Sequence, residues 1–140
     1  MTPEEKTLRT WDLRLEPIPV LVSQARRQAR AELSAWGLPD EAVDTAVLIV
    51  SELVTNAFRA CAAPEVVHVR VVDEADGVLV EVGDPSAQHP KPMLAALDDE
   101  NGRGLLLVQA TSAAFGVRDH AAGKTVWARV AVAGAGRGQQ

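Results

Sequence analysis

Glu52 and Asn56 stand four residues apart in the run Ser51-Glu52-Leu53-Val54-Thr55-Asn56-Ala57. On a helix that spacing stacks both side chains on one face, within reach of a common point. A carboxamide oxygen beside a carboxylate suits a magnesium phosphate site, because magnesium takes few protein oxygens and completes its shell from phosphate and water. The carboxylate, one turn away, could orient or deprotonate an attacking hydroxyl. The same spacing also describes the solvated side of an amphipathic helix, and taken alone it favours that plainer reading. Asp84 is the second candidate. It ends a run in which Val78, Val80 and Val82 alternate toward the core, so parity turns its carboxylate inward, where it needs a partner. The exocyclic amine of adenine is one such donor, and guanine presents none there. An ordinary Asp84-Pro85-Ser86 turn, with the aspartate accepting from nearby amides, is the alternative. The third candidate is Gly102-Arg103-Gly104, ahead of an apolar helical run. Its bare amides and the helix dipole could hold a phosphate, although plain turns use such glycines too.

These residues need a scaffold. Weak alternation over 8–15 predicts a short first strand, broken by Pro17 and Pro19. Val22, Ala25, Ala29, Leu33 and Trp36 recur at helical steps and predict an amphipathic helix that Gly37 ends. Leu38-Pro39-Asp40-Glu41 is a helix start, with carboxylates facing the positive end of the dipole. The helix it opens runs to about residue 62, with Val43, Val47, Val50, Val54 and Ala57 on one side and Glu41, Thr45, Glu52, Asn56 and Arg59 on the other. Period-two valines at 67, 69 and 71 and at 78, 80 and 82, around a turn ending in Asp76-Gly77, predict a β-hairpin. His68, Arg70 and Glu81 fall opposite those valines, so one sheet face is expected to be polar and open, with helices on the other. Residues 84–101 read as a long loop, of a length that in compact domains marks either a functional lid or a disordered segment. A helix over about 105–114 and closing strands near 115–118 and 125–132 follow, then a frayed tail from 134.

Composition narrows the function. The chain has 140 residues, 47% of them hydrophobic and 24% charged, which fits one globular domain and no membrane helix. Nineteen acidic against fourteen basic residues give a net charge of −5, the wrong sign for binding nucleic acid by counterion release. The N-terminal residues lack a secretory pattern and Cys61 has no second cysteine to pair with, so a reducing cytoplasm is expected. His68, His89 and His120 are scattered, without zinc spacing. Ser51 and Ser86 lack a nucleophile elbow. The glycines match neither a Walker loop nor a dinucleotide fingerprint. Trp11, Trp36 and Trp127 read as core or rim packing, and Cys61 as a small apolar residue at a helix end.

Taken in order, Ser51 to Ala57, Val-Glu-Val-Gly-Asp-Pro-Ser at 80–86, Gly-Arg-Gly-Leu-Leu-Leu-Val at 102–108 and Gly-Lys-Thr-Val-Trp-Ala at 123–128 resemble the bacterial ATP-binding anti-sigma regulators of the GHKL superfamily. The resemblance runs from about residue 13 to 132. It implies the Bergerat fold, an α+β two-layer sandwich whose mixed, mostly antiparallel sheet carries helices on one face. It implies one domain over 1–133 with a lid at about 85–101. It gives Asn56 the role of magnesium ligand, Glu52 that of general base in members that phosphorylate serine, and Asp84 that of adenine reader. Gly102 and Gly104 match phosphate-loop glycines, Arg103 is a phosphate or lid contact, and Thr125 matches a strand threonine supporting the adenine site. The cofactors implied are ATP and Mg2+. The partners implied are a sigma factor and a STAS-type anti-anti-sigma protein, with self-association and neither nucleic acid nor membrane. The chain departs from the wider superfamily at Asp84-Pro85-Ser86-Ala87-Gln88 and at Asn101, and Ala60 stands where close relatives often carry histidine. Two functions follow as expectations. One is a regulator that phosphorylates its antagonist; the other is a nucleotide-responsive binding module that transfers no phosphate.

Overall fold

Alternating valines build the sheet, and the helices close over the face they create. The computed structural model describes residues 8–86, 108 and 111–132. In it β1 (Thr10–Leu15), β2 (Val67–Glu74), β3 (Gly77–Asp84), β4 (Ala114–His120) and β5 (Gly123–Ala131) form a five-stranded sheet in the order β1-β2-β3-β5-β4. Every pairing among them is antiparallel, as expected of a mostly antiparallel sheet. Glu74 pairs with Gly77 around Ala75 and Asp76, which confirms the hairpin. Gly77 owes its identity less to the turn than to β5, because a side chain there would collide with the Val130 carbonyl oxygen.

Helix α1 (Leu21–Ala35) ends where sequence places its stop, with Gly37 at a φ of +83° that favours glycine. Helix α2 (Asp40–Ala60) opens behind Pro39 with Asp40 and Glu41 in its first turn, and stops at an extended Cys61. Val43, Val47, Val50, Leu53, Val54 and Ala57 of α2 bury against Val69, Val71, Val80, Val82, Val126 and Ala128 of the sheet. Each fully buried valine contributes about 1.5–3 kcal/mol relative to exposure. Leu33 and Ala29 of α1 complete the layer, and Val108 joins the same cluster. The fold is thus α+β in two layers.

The opposite sheet face is polar, as predicted. Asp12 meets His68 at 2.7 Å, Glu81 accepts from Arg118 at 2.7 Å, and Glu74 accepts from Arg129 at 2.9 Å. Such exposed pairs contribute little stability. The Arg129 guanidinium lies 5.5 Å from the Trp127 ring centroid on this face, so Trp127 packs at the rim. Two boundaries differ from expectation. Val108 and Thr111 are helical, but the chain is already extended at Ala114, and the closing strands run longer than the apolar residues alone indicate. Pairing to β5 along its whole length, rather than hydrophobicity, extends β4 through Arg118, Asp119 and His120.

Candidate functional site

Two contacts fix which flank of α2 faces α1. Arg26 donates to Ser51 Oγ at 3.1 Å, and Arg30 donates to Asp44 at 2.7 Å. Each residue turns an α-helix by about 100°, so Glu52 and Asn56 fall on the flank away from α1, at the edge of the buried face. Both are half-buried, and neither has a hydrogen-bond partner among the described residues. Toward the start of the helix the same flank borders a cleft of about 180 Å3 lined by Glu41, Thr45, Thr111 and Val130. Thr111 therefore lies across from the start of this flank.

The second cluster sits where β3 ends and β5 begins, toward the end of α2. Parity turns Asp84 inward as expected, and register sets it opposite Lys124. Lys124 Nζ donates to Asp84 Oδ1 at 2.9 Å and to Oδ2 at 3.0 Å, with both side chains only 1% exposed. The Ser86 backbone N–H donates to Oδ1 at 2.8 Å, so the short turn after the strand exists as well. Gly123 makes this approach possible. Its φ is +142°, and a side chain there would run into the Asp84 carbonyl oxygen. Cys61 feels the same cluster. Burial first, and then the charges of Asp84 and Glu65, push its thiol up to about 11 against the opposing charge of Lys124. The end of α2 is thereby placed beside the ion pair. Along the helix Asn56 lies about one turn nearer than Glu52 to this end of α2.

A family model for the histidine kinase-like ATPase domain matches residues 15–130, from the end of β1 into β5. The chain belongs to this family. Comparison with curated proteins gives no match. Membership places the chain in the GHKL superfamily and points to ATP binding. Among the described residues no helix of the ATPase domain is long and apolar enough to cross a membrane.

Within the ATPase domain the sequence-derived candidates divide. Asn56, Glu52 and Asp84 lie on the helix layer's side of the sheet, toward one end of it. Thr125 does not join them. It pairs with Gly83 on the opposite face, where its Oγ1 lies 3.2 Å from His120 Nε2, because its parity is the reverse of Asp84's. Thr125 therefore stands on the other sheet face from Asp84. Gly102, Arg103 and Gly104, the lid beyond Ser86 and the tail lie outside the described residues. Lys124 is the residue that sequence reasoning missed. It alternates in phase with the buried Val126, Ala128 and Val130, and that phase was its only signal. The oxygen donors of Asn56 and Glu52 are of the hard kind magnesium prefers, and both are unengaged within the described residues. Among the described residues no three of His, Cys, Asp and Glu gather to hold a metal ion. Magnesium of the kind that binds with phosphate takes few protein oxygens, and Asn56 could supply one of them.

Proposed function

We propose that this ATPase domain binds ATP with magnesium and acts as an anti-sigma-type regulator, which binds a sigma factor and phosphorylates a serine or threonine of its anti-anti-sigma antagonist. The observation that carries the reading is the pairing of Glu52 and Asn56, unengaged among the described residues, on a flank of α2 that faces away from α1. In this account Asn56 holds magnesium through its side-chain oxygen, and the ion's chemistry is to offset charge on the transferring phosphate. Glu52 accepts the proton of the attacking hydroxyl. The hydroxyl oxygen bonds to the γ-phosphorus as the bond to the bridging oxygen breaks, and ADP leaves. Asp84 receives the adenine amine.

The test uses the purified chain, radiolabelled ATP and candidate STAS-type antagonists encoded with it. Labelled phosphate should appear on a serine or threonine of one antagonist. Glu52→Gln should abolish that label while ATP binding persists. ATP binding with no transfer to any antagonist would overturn the kinase reading and leave the nucleotide-responsive binding module.

A further inference from the structure

Lys124 is the largest fully buried side chain among the described residues, and both of its observed bonds go to one carboxylate. A lysine is almost never this buried unless it is paired. The geometry says what the pairing accomplishes at a base-reading position. A carboxylate has about four lone-pair sites. Lys124 and the Ser86 amide fill Oδ1, and Lys124 takes one site on Oδ2. Among the described residues the second site on Oδ2 is left, and it accepts only.

We infer that Lys124 is a positioning residue for base selection, holding Asp84 as an ionised, fixed acceptor so that the site takes a 6-amino purine and refuses a 6-oxo purine. The inference rests on the ATP-binding reading above and adds the means of selection. The chemistry is that of a buried acid. A carboxylate out of water without a counter-ion takes up a proton. In that form it both donates and accepts, so an oxo group is received as readily as an amine. The ammonium prevents this by lying within 3.0 Å of both oxygens. Among the described residues the Cys61 thiol at the end of α2 also feels the pair, and it stays neutral near pH 7 and does not replace the lysine's charge. Gly123 is the backbone feature that lets β5 deliver Lys124 to this place.

The experiment measures Kd for ATP and for inosine triphosphate over a range of pH. The ratio of the two cancels titration of the shared triphosphate. The native chain should prefer ATP, with a ratio that stays flat on both sides of pH 7. In Lys124→Met the ratio should fall by about tenfold or more near pH 7 and recover as the pH rises. A double variant, Lys124→Met with Asp84→Asn, should show a low ratio that does not change with pH. A merely structural lysine predicts a different result, with both nucleotides weakened together and the ratio unchanged, and that result overturns the inference. A native ratio that collapses on mild acidification overturns it without any variant. A native chain that binds neither nucleotide refutes the ATP-binding reading itself, a separate failure.

Discussion

Removing one member of the Asp84–Lys124 pair leaves the other buried without its counter-ion, and the cost follows from where the groups sit. Both side chains are 1% exposed and joined by bonds of 2.9 and 3.0 Å, so neither can turn to water when its partner is lost. Breaking a buried pair on one side costs about 3–5 kcal/mol, whereas replacing both members by apolar groups is often neutral. For a chain of 140 residues, each kcal/mol lowers Tm by about 3–4 °C, so Lys124→Met or Asp84→Leu should melt about 9–20 °C lower. The double variant should return to within about 1–2 kcal/mol of the native chain. Urea and thermal unfolding followed by circular dichroism, with all variants at one pH, give the cycle directly. If the two single losses are each below about 1 kcal/mol and simply add in the double variant, the groups are not coupled in the folded protein.

Other perturbations reach the remaining parts of the account. Gly123→Ala places a side chain at a φ of +142° and against the Asp84 carbonyl oxygen, so it should lower unfolding free energy by at least about 2 kcal/mol in urea titrations. Leu53→Ala removes a 1%-exposed side chain from the α2 face that packs on the sheet and should cost about 2–5 kcal/mol by the same assay. The Cys61 thiol, raised from 9.0 to about 11, favours its protonated form in the folded chain. Its contribution to stability is therefore intact below pH 9 and is lost as the pH climbs toward 11, which a titration of thiolate absorbance checks. Alkylation of the native thiol at mildly alkaline pH should run about a hundredfold slower than in the unfolded chain.

Periodicity made most of this fold readable. The valine pairs gave the hairpin and its inward face, and Gly37 gave the end of α1, because backbone sterics and burial act locally there. Strand order was not readable. That β5 inserts between β3 and β4 depends on pairings far apart in sequence. Asp84 was legible as an inward carboxylate from parity alone, and its satisfaction by Lys124 was not. The rule that lysine stays outside outweighed the phase that Lys124 shares with Val126 and Ala128. The same phase, applied to Thr125, would have sent it to the far face. Asp73 illustrates another limit, since its bond with Arg9 ties the start of β1 to the end of β2 across 64 residues of sequence.

Calorimetric titration of the native chain with ATP, with and without magnesium, and of Asn56→Ala alongside, tests the central claim most directly. Saturable binding of one nucleotide per chain is expected, strengthened by magnesium in the native protein and insensitive to magnesium in the variant. A folded native chain that gives no saturable binding, or an Asn56→Ala variant that responds to magnesium as the native protein does, would contradict the account.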